Sequence, residues 1–117
     1  MKRFLFYIFS ILLFSTNLYG QKVLQKRADN ALKANEYSFA INDYKSLFSQ
    51  IENEDPEKAI VAYKIGYCYH HISSPLHAQL WLEKAIELNY QEPIVYLYCA
   101  DAMRMNKNFD KAIAYYD

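Results

Sequence analysis

Ala59–Leu88, AIVAYKIGYCYHHISSPLHAQLWLEKAIEL, is the stretch on which the fold turns. Ala62, Ile65, Gly66 and Tyr69 recur at i, i+3, i+4 and i+7, the spacing of one helix face. Past Ser73-Ser74-Pro75 the same rhythm returns in Ala78, Trp81, Leu82, Ala85 and Ile86, with Glu83, Lys84 and Glu87 between them. Ser74 suits an N-cap and Pro75 the first helical position, so the spacing predicts two amphipathic helices joined there. A lone helix hairpin cannot bury its apolar face, so its flanks must supply neighbours.

Both flanks repeat it. Ala78 lies 38 residues after Ala40 and 34 before Ala112. In that register Gly66 meets Ala28 and Ala100, small residues where helices approach closely, and Leu82 meets Tyr44 and Tyr116. Tyr69 meets Ala31 and Met103. With Ala85, these positions form the predicted packing set: Ala28, Ala40, Tyr44, Gly66, Tyr69, Ala78, Leu82, Ala85, Ala100 and Ala112. A period near 34 residues with two helices per unit marks a stacked helical array. Ala62, Ile65, Gly66, Tyr69, Ala78 and Leu82 also resemble the motif of the tetratricopeptide repeat family. The tryptophan position of that motif holds Leu24, Ala62 and Tyr96, and its closing proline is Tyr90 in the middle unit.

The resemblance implies an all-α fold, an α-α superhelix of about three helix hairpins with the last incomplete. Repeats are expected at about 21–54, 57–91 and 93–117. The helices are predicted at Lys22–Ala34, Tyr37–Ile51, from Pro56 behind an Asp55 cap, from Pro75, from Pro93 to about Met105, and from Phe109. The sixth is short for a closing helix, so the chain is expected to be a fragment of a longer protein continuing past Asp117.

Residues 1–20 read separately. Lys2 and Arg3 precede the apolar Phe4–Phe14, then Ser15-Thr16-Asn17 and Leu18-Tyr19-Gly20, the layout of a secretory signal peptide with Gln21 as first mature residue. The other reading of the segment is an uncleaved membrane anchor. The full chain balances 13 Lys and Arg against 13 Asp and Glu. Without Lys2 and Arg3 the count is 11 against 13, a net charge of −2. No basic stripe is present, so nucleic acid is not expected as a partner.

No catalytic constellation emerges, and neither a metal nor a cofactor is implied. His70 and His71 point about 100° apart on a helix and His77 sits on the next one, with no further ligand to complete a metal site. Ser73 and Ser74 read as helix caps rather than nucleophiles. Cys68 and Cys99 fall on the first helices of neighbouring units. In an oxidising compartment they form a possible disulfide, and in apolar stretches they also read as small hydrophobes.

Twelve tyrosines dominate the aromatic content. Tyr44, Tyr69 and Tyr116 fit packing positions, whereas Tyr63 and Tyr67 fall on the far side or margin of their helix. In the resembled family the first helix of each pair lines a concave groove. On this chain Tyr63, Tyr67, His70, Leu97, Asp101 and Arg104 would face it, with Asp29 at the earlier end. Tyrosine and arginine there suit a protein or peptide ligand.

The expected function is a non-catalytic protein–protein interaction scaffold of the bacterial cell envelope, exported and periplasmic or outer-membrane-associated. The repeats with their export signal are also similar to N-terminal parts of envelope proteins that carry an OmpA-like domain. That likeness implies peptidoglycan or outer-membrane association through a missing C-terminal region. The alternative is an accessory repeat domain of a larger protein whose enzymatic or peptidoglycan-binding part lies beyond Asp117.

Overall fold

The computed structural model describes residues 2–116, with the side chains of residues 3, 5–8 and 18–116. Among them the chain forms six α-helices and no strand: α1 Lys2–Lys33, α2 Tyr37–Gln50, α3 Pro56–His71, α4 Pro75–Glu87, α5 Ile94–Met105 and α6 Phe109–Tyr116. Each helix packs on the one before it, and α3 also touches α5. The result is three stacked hairpins, α1–α2, α3–α4 and α5–α6.

The turns show the repeat most directly. Asn35, Ser73 and Lys107 have φ of 60°, 58° and 66°, the left-handed conformation that ends a helix. The next residue in each case sends its N–H back to the first helix. Glu36 donates to the Ala31 carbonyl at 2.9 Å, Ser74 to Tyr69 at 3.0 Å and Asn108 to Met103 at 2.7 Å. Left-handed φ costs a non-glycine residue roughly 1 kcal/mol, offset here by satisfying carbonyls that a helix end leaves free. The acceptors Ala31, Tyr69 and Met103 are the positions that the sequence register places together.

Helix starts divide. The Asp55 side chain accepts from the Glu57 N–H at 2.9 Å, and Pro56 follows at the first position, as the sequence predicts. Ser74 differs: its hydroxyl sits 2.9 Å from His77 Nδ1 and makes no cap bond. Pro75 has no N–H to satisfy, which relieves the missing cap of one donor.

Helix α1 runs unbroken from Lys2 to Lys33, longer than the predicted Lys22–Ala34 helix. Gly20 is the one helix-weakening residue near the junction, and a lone helical glycine costs only about 1 kcal/mol. The packed part of α1 starts at Gln21, whose amide donates to the Gln50 carbonyl at 3.1 Å. Leu5, Phe6, Tyr7, Leu18 and Tyr19 are exposed. Within the apolar run at Phe4–Phe14, the side chains of residues 4 and 9–14 lie outside those described. Among the described residues no helix is long and apolar enough to cross a membrane.

The core has two parts. One gathers Ala28, Tyr44, Leu47, Val61 and Ile65 from α1, α2 and α3. The other gathers Ala62, Leu82, Val95, Met103 and Ala112 from α3 to α6. Helix α3 is the wall common to both. Of the packing set, Ala28, Ala40, Tyr44, Gly66, Ala78, Leu82, Ala85, Ala100 and Ala112 are buried, and Tyr69 is half-buried against His77. Gly66 is fixed by contact distance, since a Cβ there would lie 2.6 Å from Leu82 Cγ. The last hairpin is pinned by polar contacts: Asn106 donates to Gln79 Oε1 at 2.7 Å and to the Pro75 carbonyl at 3.0 Å.

Candidate functional site

The first helices α1, α3 and α5 lie side by side and form one face of the stack. Two seams run along it. Between α1 and α3 the contacts are polar. Gln25 donates to Glu57 Oε1 at 3.0 Å, and Lys64 Nζ lies 3.1 Å from Asp29 Oδ1. Asp29 also accepts from the hydroxyl of Tyr44, a fully buried side chain of α2. Burial and then this carboxylate push the Tyr44 phenol far above its ordinary range. Asp29 therefore serves two neighbouring units at once.

Between α3 and α5 the contacts are aromatic. Tyr98 meets Tyr67 edge-on at 5.7 Å between ring centroids, Tyr63 at 6.4 Å and His70 at 4.8 Å. The array continues in both directions along α3. Tyr63 stacks on Tyr90 at 4.7 Å, while Tyr67 adjoins His71 at 4.2 Å, and His71 stacks on Tyr37 at 4.9 Å. Aromatic pairs at these separations contribute about 0.5–1.5 kcal/mol each beyond their buried area. Burial, helped by neighbouring tyrosines, raises the phenols of Tyr63 and Tyr67, and burial followed by Glu92 raises that of Tyr90. His71 is lowered, by burial first and then by His70. The phenols of Tyr63, Tyr67 and Tyr90 therefore stay protonated at neutral pH.

The structure divides the six predicted face residues. Tyr63, Tyr67 and His70 come together through Tyr98. Asp101 and Arg104 form a second group on α5, 3.9 Å apart, where Asp101 accepts from the Tyr116 hydroxyl. Leu97 stands exposed. Tyr98, His71, Tyr37 and Tyr90 are the aromatic members that sequence reasoning missed. The signal for Tyr98 was its register: it lies 34 residues after Lys64, at the position that reaches the preceding unit.

The remaining candidates are placed as follows. Cys68 and Cys99 are free thiols, each buried and each in a different part of the core. Burial pushes both up to about 12, so they stay protonated. His70 and His71 lie 5.4 Å apart, and His77 is held between Ser74 and Tyr69. Among the described residues no group of three His, Cys, Asp or Glu is placed to hold a metal ion.

Comparison with solved structures assigns the fold. The PilF protein of Pseudomonas aeruginosa is similar over 83% of this chain and 43% of its own, at 24% identity and a TM-score of 0.70. The tetratricopeptide repeat domain of Arabidopsis OM64 is similar over 85% of this chain and 78% of its own, at 16% identity and a TM-score of 0.70. The first such domain of Spaghetti (RPAP3), bound to the HSP90 peptide SRMEEVD, matches over 84% of this chain and 75% of its own, at 17% identity and a TM-score of 0.69. The fold is thus that of tetratricopeptide repeat domains, and the chain spans less than half the length of PilF. No protein-family model and no curated protein matches the sequence.

Proposed function

We propose that this chain is a non-catalytic protein-interaction module that holds a protein or peptide segment on the α1–α3–α5 face. The observation that carries the reading is the band of half-exposed rings that Tyr63, Tyr67 and Tyr98 gather at one helix seam. Tyrosine at such a site contributes large contact area with little loss of side-chain freedom on binding. The similarity to a repeat domain that holds a peptide supports the same use of the fold. Export is part of the proposal and rests on the charged, apolar and polar order of Met1–Gly20. An envelope setting, with a further region that contacts the outer membrane or peptidoglycan, extends it.

The test compares the chain with a Tyr63→Ala, Tyr67→Ala, Arg104→Ala variant as immobilised bait against a displayed library of extended peptides. Selection of a shared sequence class by the parent, lost in the variant with its helical content intact, is the expected result. Equal selection by both would remove this face from the proposal. Export is tested separately by the N-terminus of secreted protein, expected at Gln21.

A further inference from the structure

We propose that the α5–α6 end of the stack docks an amphipathic helix of a partner protein, one with apolar residues at i, i+4 and i+7 and a lysine or arginine at i+3. The site is separate from the aromatic band, so it stands or falls apart from the function proposed above.

Exposure marks the surface. In the first two hairpins the positions equivalent to Ile113 and Tyr116 are covered by the hairpin that follows. Ile41 and Gln79 are 5% and 9% exposed, and Tyr44 and Leu82 are fully buried. On α6, Ile113 is 59% exposed and Tyr116 45%, and Leu97 of α5 is exposed as well. Exposed apolar surface rimmed by polar groups marks an interaction site.

The chain itself shows twice what covers such an end. Over α1–α2 lies α3, with Val61, Ile65 and Cys68 buried at i, i+4 and i+7. Over α3–α4 lies α5, with Val95, Cys99 and Ala102 buried at the same spacing. In both, the i+3 residue matches the chemistry beneath it. Lys64 reaches Asp29 at 3.1 Å and lies 5.6 Å from the centre of the Tyr44 ring. Tyr98 meets the ring of Tyr67, above Leu82 in place of a tyrosine. The α5–α6 end returns to the first chemistry, because Asp101 accepts from Tyr116 as Asp29 does from Tyr44. Arg104 stands 3.9 Å from Asp101 with most of its side chain in solvent, a looser partner than Lys64 is for Asp29. A cation at i+3 of an incoming helix completes the set, whereas a carboxylate there would face Asp101.

A second copy stacked head to tail fits less well. Its α1 would supply Val23 and Lys26 at i and i+3, but Arg27 and Asn30 stand where Ile65 and Cys68 do. Arg27 is held by Asp43 through two hydrogen bonds of 2.7 and 2.8 Å, a pair that such an interface would desolvate. The α1–α2 end is thus polar, as the outer face of a terminal repeat is, and the α5–α6 end is not.

The test titrates the full chain with side-chain-bridged helical peptides of Pro56–His71, the helix that fills this role over α1–α2, made with Cys68→Ala to prevent oxidation. One peptide keeps Lys64 and the other carries Lys64→Glu. The first is expected to bind about tenfold more tightly at low salt, with the ratio shrinking as salt rises. In the full chain, Asp101→Asn should bring the two peptides within about twofold of each other. Ile113→Ser should weaken both about tenfold, and Tyr67→Leu should change neither, each variant being checked for helical content. Equal binding of the two peptides, or a ratio that survives Asp101→Asn, would overturn the cation at i+3. Binding lost in Tyr67→Leu but kept in Asp101→Asn and Ile113→Ser would move the helix to the aromatic band and overturn the site. Self-association of the chain alone, abolished by Ile113→Ser, would give the surface to a second copy and overturn the partner assignment. No binding of either peptide by a folded chain would overturn the docking surface itself.

Discussion

The two seams of the α1–α3–α5 face occupy the same register and are built from opposite chemistry. Asp29 and Tyr67 are equivalent positions, as are Lys64 and Tyr98, so the ion pair of the first seam becomes a ring pair in the second. The reason lies one layer down. In the first hairpin the α2 side chain at the packing position is Tyr44, which brings a hydroxyl into the core and needs an acceptor. In the second hairpin that position is Leu82, which needs none, and its α3 partner position is free to be aromatic. The polar seam is therefore a consequence of core composition. The aromatic seam answers to no such buried hydroxyl, which is why it is the part of the face proposed for binding.

The largest effect expected from breaking the comparison is that of Asp29→Ala. It strands the Tyr44 hydroxyl in the core and leaves Lys64 without its carboxylate. An unsatisfied buried polar group costs about 1–3 kcal/mol, and the partly exposed ion pair adds a few tenths more, so a loss of about 2 kcal/mol is expected. The midpoint of urea unfolding reads it, with the slope unchanged. Adding Tyr44→Phe should recover about half, because the stranded group is then gone. A loss below about 0.5 kcal/mol would show that water reaches Tyr44 and that the polar seam has another cause.

Tyr98→Leu is next. It keeps an apolar side chain between α3 and α5 but removes three ring contacts, for an expected loss of about 1–1.5 kcal/mol by the same urea measurement. The effect should be independent of salt, whereas that of Asp29→Ala should shrink as salt rises. Equal salt dependence for the two would erase the distinction between the seams.

How much of this was legible in the sequence follows the same division. Pro56 behind Asp55, Pro75 behind Ser74 and the recurring small residues at Ala28, Gly66 and Ala100 give the hairpins and their register, because each reports a local backbone need. Ser74 misleads: the residue type suits a cap, but His77 one turn on competes for the hydroxyl. The left-handed turns at Ser73 and Lys107 were illegible, since neither type favours that conformation and only the repeat imposes it. On the face, residues fall into view when they sit centrally on their own helix, as Tyr63 and Tyr67 do. Tyr98 reaches sideways to the preceding unit, a direction that single-helix periodicity does not encode. Tyr37 opens α2 and Tyr90 sits in the connector between α4 and α5, so neither lies on α3 or α5, whose periodicity marks this face.

The smallest expected effect sharpens the comparison most. Tyr116 and Asp101 repeat the hydrogen bond of Tyr44 and Asp29 in the same register. The difference is cover: Tyr44 is fully buried beneath α3, whereas Tyr116 is 45% exposed. Water can replace Asp101 as acceptor for Tyr116, and Arg104 beside it is largely solvated, so Asp101→Ala should cost no more than about 0.5 kcal/mol. The same substitution at two equivalent positions thus differs about fourfold in cost through cover alone. If Asp101→Ala instead matches Asp29→Ala, the α5–α6 face is sheltered in solution by something that performs the role of α3. The measurement would then be repeated across a range of protein concentration, because shelter by a second copy weakens on dilution and shelter within one chain does not.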